Sequence, residues 1–224
     1  INMKAYDIIR HELGHSFAGL ADEYWAGDFY AAEKVNMTKQ TNPSLVRWKN
    51  WMGVDNVGIY QHTDTPLAKS WYRPHNNCKM SVLGKPLCNV CRQALVKQIL
   101  NKANLIVDYA PVNLSLSMAD LVANNMTFEL KKLMKPQPNT LKISWKLDGI
   151  EITSAIDQES YQLTESMLTK STHTLTASVT DMTDMLRLED SESRVVRSVT
   201  WQINRGTTGI NLDSYEQLAN FQVY

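Results

Sequence analysis

The chain has 224 residues, and its 23 basic and 23 acidic side chains give a formal net charge of zero. A composition of 43% hydrophobic and 21% charged residues is ordinary for a globular protein. The length is sufficient for one large domain or two modest ones. Neither half carries the basic stripe of a nucleic-acid-binding protein, and no stretch approaches the ~20 apolar residues of a membrane span.

The first predicted element is a helix that carries the sequence His11-Glu12-Leu13-Gly14-His15. Residues four apart share one helix face, so His11 and His15 can present two imidazole nitrogens to one cation. Glu12 then lies beside the metal, where a carboxylate can take a proton from a metal-activated water. This spacing is the zincin motif and predicts a zinc site. The opposite side of the helix is predicted to pack through its apolar residues, Tyr6, Ile9, Leu13, Phe17 and Leu20.

A catalytic zinc needs a third protein ligand, and its remaining position is left to water. Gly19 can end the helix in a left-handed turn, after which the chain doubles back. Asp22 is the predicted third ligand, and Glu23 is the competing choice. Either carboxylate could instead orient a ligating imidazole from outside the ligand set.

Three separated blocks, HELGHSFAGLADEYW, WYRPHNNCKM and LCNVC, resemble the secreted zinc metallopeptidases named after bacterial immunoglobulin A peptidase, which belong with the metzincins. The resemblance covers roughly residues 1–104 and implies a zinc endopeptidase domain. In the usual metzincin string the glycine and third ligand stand three and six positions after the second histidine, whereas here they stand four and seven. A metzincin sheet usually precedes this helix, so the domain is expected to be N-terminally incomplete.

Residues 25–87 are predicted to form loops with short helices. Trp48, Trp51 and Trp71 are expected in the core, because bulky aromatic side chains are usually structural. Trp25 follows the ligand turn directly and is the tryptophan best placed to line the cleft.

The resemblance implies that Met80 forms an apolar floor beneath the zinc site, as a methionine does in metzincins. Tyr72 and His75 could reach the cleft and stabilise an oxyanion. Many metzincins carry a tyrosine two residues after that methionine, but Val82 stands there in this chain, so the oxyanion partner is unassigned. For His75, as for His62, a solvated loop position is the main expectation.

The three cysteines, Cys78, Cys88 and Cys91, bracket the Met80 turn. A Cys78–Cys88 disulfide would close a short loop, contribute ~2–3 kcal/mol to stability and imply an oxidising compartment. The rival hypothesis is a structural zinc held by three thiolates, for which no fourth ligand is obvious. Cys91 is expected to be free and buried. From Cys88 to about Ala103 the apolar spacing predicts a helix that closes the first domain.

After Asn104 the pattern changes to the alternation typical of strands. Segments with this alternation cover residues 141–147, 175–179 and 199–203. Asp148-Gly149 predicts a hairpin turn, and His173 is expected at a polar strand edge. Several short strands at this spacing predict an immunoglobulin-like β-sandwich over residues 105–210.

The last residues, from Leu218 onward, resemble the opening of the C-terminal sorting domain that some bacteria use for type nine secretion. Residues 211–224 are therefore predicted to be a tail leading to such a domain. The resemblance implies a secreted or cell-surface bacterial protein, with surface association through a removed sorting domain.

Together these features predict an α+β protein with a metzincin-like zinc domain followed by an immunoglobulin-like sandwich. The predicted function is a secreted metalloendopeptidase that cleaves extracellular proteins or peptides. It uses Zn²⁺, the ligands His11, His15 and Asp22, and Glu12 as general base. The alternative is a non-catalytic protein- or glycan-binding module with a vestigial zinc site. The intact Glu12 favours the enzyme, and the missing upstream sheet favours the alternative or a fragment of a longer chain.

Overall fold

A computed structural model describes residues 3–136, 138–188 and 193–205 of the chain, and within them the fold is α+β, as predicted. The helices are α1 (Met3–Ala18) and α2 (Asn89–Lys102). The strands are β1 (Tyr60–Gln61), β2 (Tyr72–Arg73), β3 (Ile106–Ala110), β4 (Ser115–Ser117), β5 (Asn125–Lys132), β6 (Leu141–Leu147), β7 (Ile150–Glu151), β8 (Ser160–Thr164), β9 (Thr172–Asp181) and β10 (Val196–Asn204). Over the described ranges, neither helix combines the length and the apolar character that crossing a membrane requires.

The chain divides into two compact units. The first contains residues 1–105, 135–141 and 180–195, and the second contains residues 106–134, 142–179 and 196–224. Two segments of the first unit thus come from within the range predicted for the sandwich. The predicted tail, residues 211–224, lies outside the described residues.

Tryptophans organise the interior of the first unit. Trp48, Trp51 and Trp71 are only 2%, 6% and 6% exposed, which confirms the prediction that they pack in the core. The Trp48 indole donates a hydrogen bond to the carbonyl oxygen of Gly58 at 2.8 Å, and the Trp51 indole donates to Gln93 Oε1 at 2.9 Å. The polar edges of Trp48 and Trp51 are therefore satisfied while their rings fill the space between the loops.

Helix α1 packs through the face opposite to the predicted one. Tyr6, Ile9 and Leu13 are 48%, 63% and 48% exposed, so the expectation that they pack is wrong. His11 and Ala18, on the other side, are 8% and 7% exposed. Periodicity finds the apolar stripe of a helix, but it does not show which stripe meets a neighbour. Here the histidine face is the buried one.

The second unit holds two sheets whose aromatic side chains meet. One sheet has the order β3-β5-β8 and is antiparallel, and the other has the order β4-β10-β9-β6-β7 with β4 parallel to β10. Phe128 of β5 contacts Trp201 of β10 with ring centroids 5.0 Å apart, and Tyr161 of β8 lies 5.7 Å from Trp145 of β6. These contacts join the two sheets through a shared apolar layer.

The predicted hairpin turn links β6 to β7 and anchors a buried histidine. Asp148 and Gly149 have φ angles of 53° and 82°, as a tight hairpin turn with two left-handed residues requires. The Asp148 carboxylate accepts hydrogen bonds from Lys170 Nζ at 2.8 Å, His173 Nδ1 at 2.9 Å and the Thr174 amide at 2.9 Å. His173 is 2% exposed, so its expected place at a polar strand edge is wrong. The Lys170 ammonium, with these other donors, lowers the pKa of Asp148 to about 2.

We expect Asp148→Asn to lower the free energy of unfolding at neutral pH by about 1 kcal/mol, because a charged acceptor is lost at a partly solvated site. Asparagine also favours this turn, so the change removes the charged acceptor and keeps the turn preference. The pKa of Asp148 is about 2 in the folded protein, below its usual value of 3.8. The stabilisation of the fold by this carboxylate is therefore complete above pH 3.8 and is lost as the pH falls toward 2. Urea unfolding at neutral and acidic pH measures this, with Glu151→Gln on the exposed β7 as control. A difference between Asp148→Asn and the parent that is equally large in acid would contradict it.

Candidate metal centre

A left-handed turn after α1 brings an acidic residue back over the helix. The helix ends at Ala18, and Gly19 follows with φ 63°, which confirms the predicted turn. The fully buried Asn36 then fixes the returning chain, because its side chain accepts from the Ala21 amide at 2.8 Å and donates to the Ala21 carbonyl at 2.9 Å. Asp22 is the next residue, and the clamp on Ala21 fixes its position.

Three side chains converge at this point. His11 Nε2 and His15 Nε2 lie 3.0 Å apart, and Asp22 Oδ1 lies 3.0 Å from the first and 3.3 Å from the second. Bonds of ~2.0–2.1 Å at tetrahedral angles place two ligand atoms of one zinc ion ~3.3 Å apart. The triangle therefore has the dimensions of one face of a zinc site.

The hydrogen bonds behind the imidazoles fix which nitrogen faces the triangle. His11 Nδ1 lies 3.1 Å from the Lys79 carbonyl oxygen, and His15 Nδ1 lies 2.7 Å from the Leu20 carbonyl oxygen. A carbonyl only accepts, so both Nδ1 atoms carry the proton and both Nε2 atoms present a lone pair. With Asp22 Oδ1, which is buried and has no hydrogen-bond donor in the described part of the chain, three acceptors face one another. A shared cation satisfies all three.

Glu12 lies outside the triangle, at the boundary between the site and solvent. Its side chain is exposed, and it lines a cleft together with His11 and Tyr24. A second cleft beside the cluster is lined by His15, Asp22 and Trp25 among others. Trp25 is half-buried and lines that cleft, as the sequence indicated. An extended molecule could therefore meet the triangle from either side.

Tyr24 is a neighbour of the site that the sequence reasoning missed. It is 46% exposed and shares the cleft of Glu12. Burial raises the pKa of its phenol, and the carboxylates of Asp22 and Glu12 raise it further. The hydroxyl therefore keeps its proton at neutral pH and can donate it in a hydrogen bond. The sequence could have indicated Tyr24, because it stands two residues after the predicted third ligand, in the same turn.

Glu23, the competing ligand, points to a different cluster. It is fully buried, and its Oε1 lies 3.0 Å from Cys91 Sγ and accepts a hydrogen bond from Asn36 Nδ2 at 3.1 Å. The structure thus brings Asp22, and not Glu23, to the two histidines. Burial raises the pKa of Glu23 well above its ordinary value.

The predicted Cys78–Cys88 disulfide is wrong, because all three cysteines are free thiols. The Cys88 amide donates to Cys78 Sγ at 3.3 Å, and Cys91 is free and fully buried, as expected. The three sulfurs and a carboxylate oxygen of Glu23 all lie within 4.8 Å of one another. Because the cysteines form no disulfide, they do not support the predicted oxidising compartment.

Met80 lies directly beneath the helix that carries the histidines. It is fully buried, and a Cβ atom added to Gly14 would lie 2.8 Å from its sulfur. Gly14 stands between His11 and His15 in sequence, so only a residue without a side chain lets the methionine approach so closely. Met80 therefore packs against the site, in the place predicted for an apolar floor.

Two predicted oxyanion candidates are engaged elsewhere. The Tyr72 hydroxyl lies 3.5 Å from Gln61 Nε2, and His75 Nδ1 accepts a hydrogen bond from the Asn77 amide at 2.9 Å. The structure brings neither into the triangle of ligand atoms. His62 is fully buried, so its expected solvated position is wrong, and burial lowers its pKa to about 4. That imidazole is neutral at physiological pH.

A scan of the chain against protein-family models finds no match, and a search of curated proteins finds none either. The family suggested by the three sequence blocks therefore stays a prediction. The fold and site define the chain as an α+β protein with a triangle of two histidines and one aspartate suited to a metal ion.

We expect Gly14→Ala to lower the free energy of unfolding by about 1 kcal/mol. Overpacking a core costs ~1–3 kcal/mol, and the better helix propensity of alanine offsets at most ~1 kcal/mol of this. In a Met80→Ala background the same substitution should be neutral or stabilising, because the clashing sulfur is gone. Urea unfolding of the four proteins gives the coupling between the two positions, and an equal loss in both backgrounds would show that Met80 is not the obstacle.

Proposed function

We propose that the chain is a zinc-dependent metalloendopeptidase of the HExxH type, similar to the immunoglobulin A peptidases. Its first unit corresponds in this proposal to a metzincin-like catalytic domain, and its second unit to an immunoglobulin-like sandwich. The observation that carries the proposal is the triangle of His11, His15 and Asp22, with Glu12 next to it in an open cleft.

The ligand chemistry favours zinc. Two imidazole nitrogens and one carboxylate oxygen form a ligand set that catalytic zinc uses in peptidases, and three protein ligands leave a position for substrate and water. Bound there, zinc would polarise the scissile carbonyl and make water a stronger nucleophile. A purely structural ion would need four protein ligands and a closed site, whereas His15 and Asp22 have side chains 29% and 19% exposed.

Glu12 and Tyr24 have separate roles in the proposed reaction. Glu12 takes the proton from the attacking water and delivers it to the departing amine. Tyr24 donates its phenolic hydrogen to the oxygen that becomes negative during attack. The two clefts beside the triangle would receive the chain on either side of the cleaved bond, with Trp25 contacting a substrate side chain.

The substrates in this proposal are extracellular proteins or peptides, and the protein is secreted or held at the bacterial cell surface. The sequence blocks support this assignment through their resemblance to secreted peptidases. The second unit would act as a spacer, a binding module or a brace.

One observation favours the alternative, a non-catalytic module that binds protein or glycan. Several large apolar side chains of the first unit are exposed, including Ile9 at 63%, Phe29 at 91% and Tyr30 at 67%. Exposed apolar patches often mark binding surfaces. In this alternative, the metal would be vestigial and Glu12 would be dispensable.

We expect Glu12→Gln to abolish cleavage of casein and to leave zinc at the triangle. The amide keeps the shape of the side chain but cannot accept the proton from water. Asp22→Asn should instead weaken zinc binding together with activity. Elemental analysis of zinc and a casein assay separate these effects, with the exposed Glu159→Gln as control. Casein cleavage by Glu12→Gln at the parent rate would exclude Glu12 as the base, and a zinc-loaded parent that cleaves nothing would favour the binding module.

We expect Tyr24→Phe to lower kcat about tenfold to a hundredfold with little change in KM, because an oxyanion donor acts mainly in the transition state. Tyr6→Phe is a matched control, since that exposed tyrosine lies on the face of α1 that is turned away from the histidines. Steady-state kinetics on a peptide substrate measures both. An effect on KM alone would assign Tyr24 to substrate binding.

A further inference from the structure

We propose that Glu23, Cys78, Cys88 and Cys91 form a second metal site, which binds a structural zinc ion through three sulfurs and one carboxylate oxygen. This site is separate from the triangle of His11, His15 and Asp22 and shares no ligand with it. The proposal does not depend on the peptidase function.

The distances fit a tetrahedral ion. Cys91 Sγ lies 3.0 Å from Glu23 Oε1, and Cys88 Sγ lies 3.9 Å from the same oxygen. Zn–S bonds of ~2.3 Å and a Zn–O bond of ~2.0 Å at tetrahedral angles place sulfur and oxygen ~3.5 Å apart, and two sulfurs ~3.8 Å apart. Shifts of about half an ångström bring the observed contacts to these values. Cys88 and Cys91 also show the C-x₂-C spacing common in zinc sites.

Burial makes an ion the simplest occupant of this cluster. Glu23, Cys78 and Cys91 are fully buried, and Cys88 is 7% exposed. The second oxygen of Glu23, Oε2, has no hydrogen-bond partner within the described part of the chain. A buried carboxylate oxygen without a partner is costly, and a divalent cation held between Glu23 and the thiolates would remove that cost.

The surrounding backbone is arranged for negative charge. Cys88 caps the N-terminus of α2 and Cys91 lies in its first turn, where the helix dipole favours thiolates. The Cys88 amide donates to Cys78 Sγ at 3.3 Å, and Asn36 Nδ2 donates to Glu23 Oε1 at 3.1 Å. These donors offset part of the charge that four anionic ligands place around one ion.

The site is suited to structure rather than catalysis. Four protein ligands complete a tetrahedral shell and leave no position for substrate, and the ligands are closed off from solvent. Its effect would be to tie three segments together: the turn at Glu23, the loop at Cys78 and the start of α2. Two of these segments also carry parts of the first site, because Asp22 precedes Glu23 and Met80 follows Cys78.

The experiment uses the whole chain with His11 and His15 both changed to alanine, so that only the cysteine site remains. We expect one zinc per chain by elemental analysis, against two for the parent. Replacement by cobalt should give an intense thiolate-to-cobalt charge-transfer band with the visible spectrum of a tetrahedral ion. Zinc X-ray absorption of the same variant should show three sulfurs and one oxygen. A variant that holds no metal after zinc reconstitution, or a cobalt spectrum without the thiolate band, would overturn the proposal.

Two single variants then test individual ligands in the same background. Cys91→Ser and the near-isosteric Glu23→Gln should each weaken zinc binding at least tenfold in a competition with a chromogenic chelator, and Glu33→Gln is an exposed control. Where Cys91→Ser fails to fold, the X-ray absorption of the cysteine-intact variant decides the ligand set. In the parent chain, failure to cleave casein with both sites loaded would count against the peptidase proposal alone, and casein cleavage without a thiolate-bound metal would count against this one alone.

Discussion

The turn that follows α1 is the constraint on which the rest of the site depends. It places two carboxylates next to each other in sequence, and they point to two different clusters. Asn36 clamps the start of the turn, while the Glu23 amide donates to the Met80 carbonyl at 2.7 Å and Arg73 Nη1 donates to the Glu23 carbonyl at 2.7 Å. With the backbone held on both sides, Asp22 reaches the histidines and Glu23 reaches the thiols.

The loop of Cys78, Lys79 and Met80 reaches the same two clusters from the opposite side. Cys78 contributes a sulfur, the Lys79 carbonyl oxygen fixes the proton on His11 Nδ1, and Met80 fills the space under the helix. The Lys79 ammonium is buried and forms an ion pair with Asp7 of α1. That ion pair lowers the pKa of Asp7. Cys78, Lys79 and Met80 thus each contact a different part of the two clusters. The loop and α1 therefore fix each other's position.

The sequence predicted the local part of this arrangement and missed the long-range part. The histidine pair follows from helix periodicity, and the left-handed turn at Gly19 follows from glycine's tolerance of positive φ. Both lie within a few residues of the first ligand. The partnership of Glu23 with Cys91 joins residues 68 positions apart, so spacing could not reveal it and the fourth ligand stayed unidentified. The disulfide prediction failed for a related reason, because sequence separation does not give the direction of two Cβ atoms.

Because the apolar face of α1 is exposed, a metal ion bound at the triangle would contribute a large share of what holds this helix in place. Ile9 and Leu13 project into solvent, so α1 is joined to the rest of its unit mainly through the face of His11, Gly14 and Ala18. His11 and His15 present two acceptor nitrogens next to Asp22 Oδ1 of the following turn, and these three atoms repel one another unless a cation lies between them. In such a helix the candidate ligands and the packing contacts are on one side, so the free energy of binding a metal ion would become part of the free energy of docking the helix. A metal ion at the triangle would therefore help to hold α1 in place.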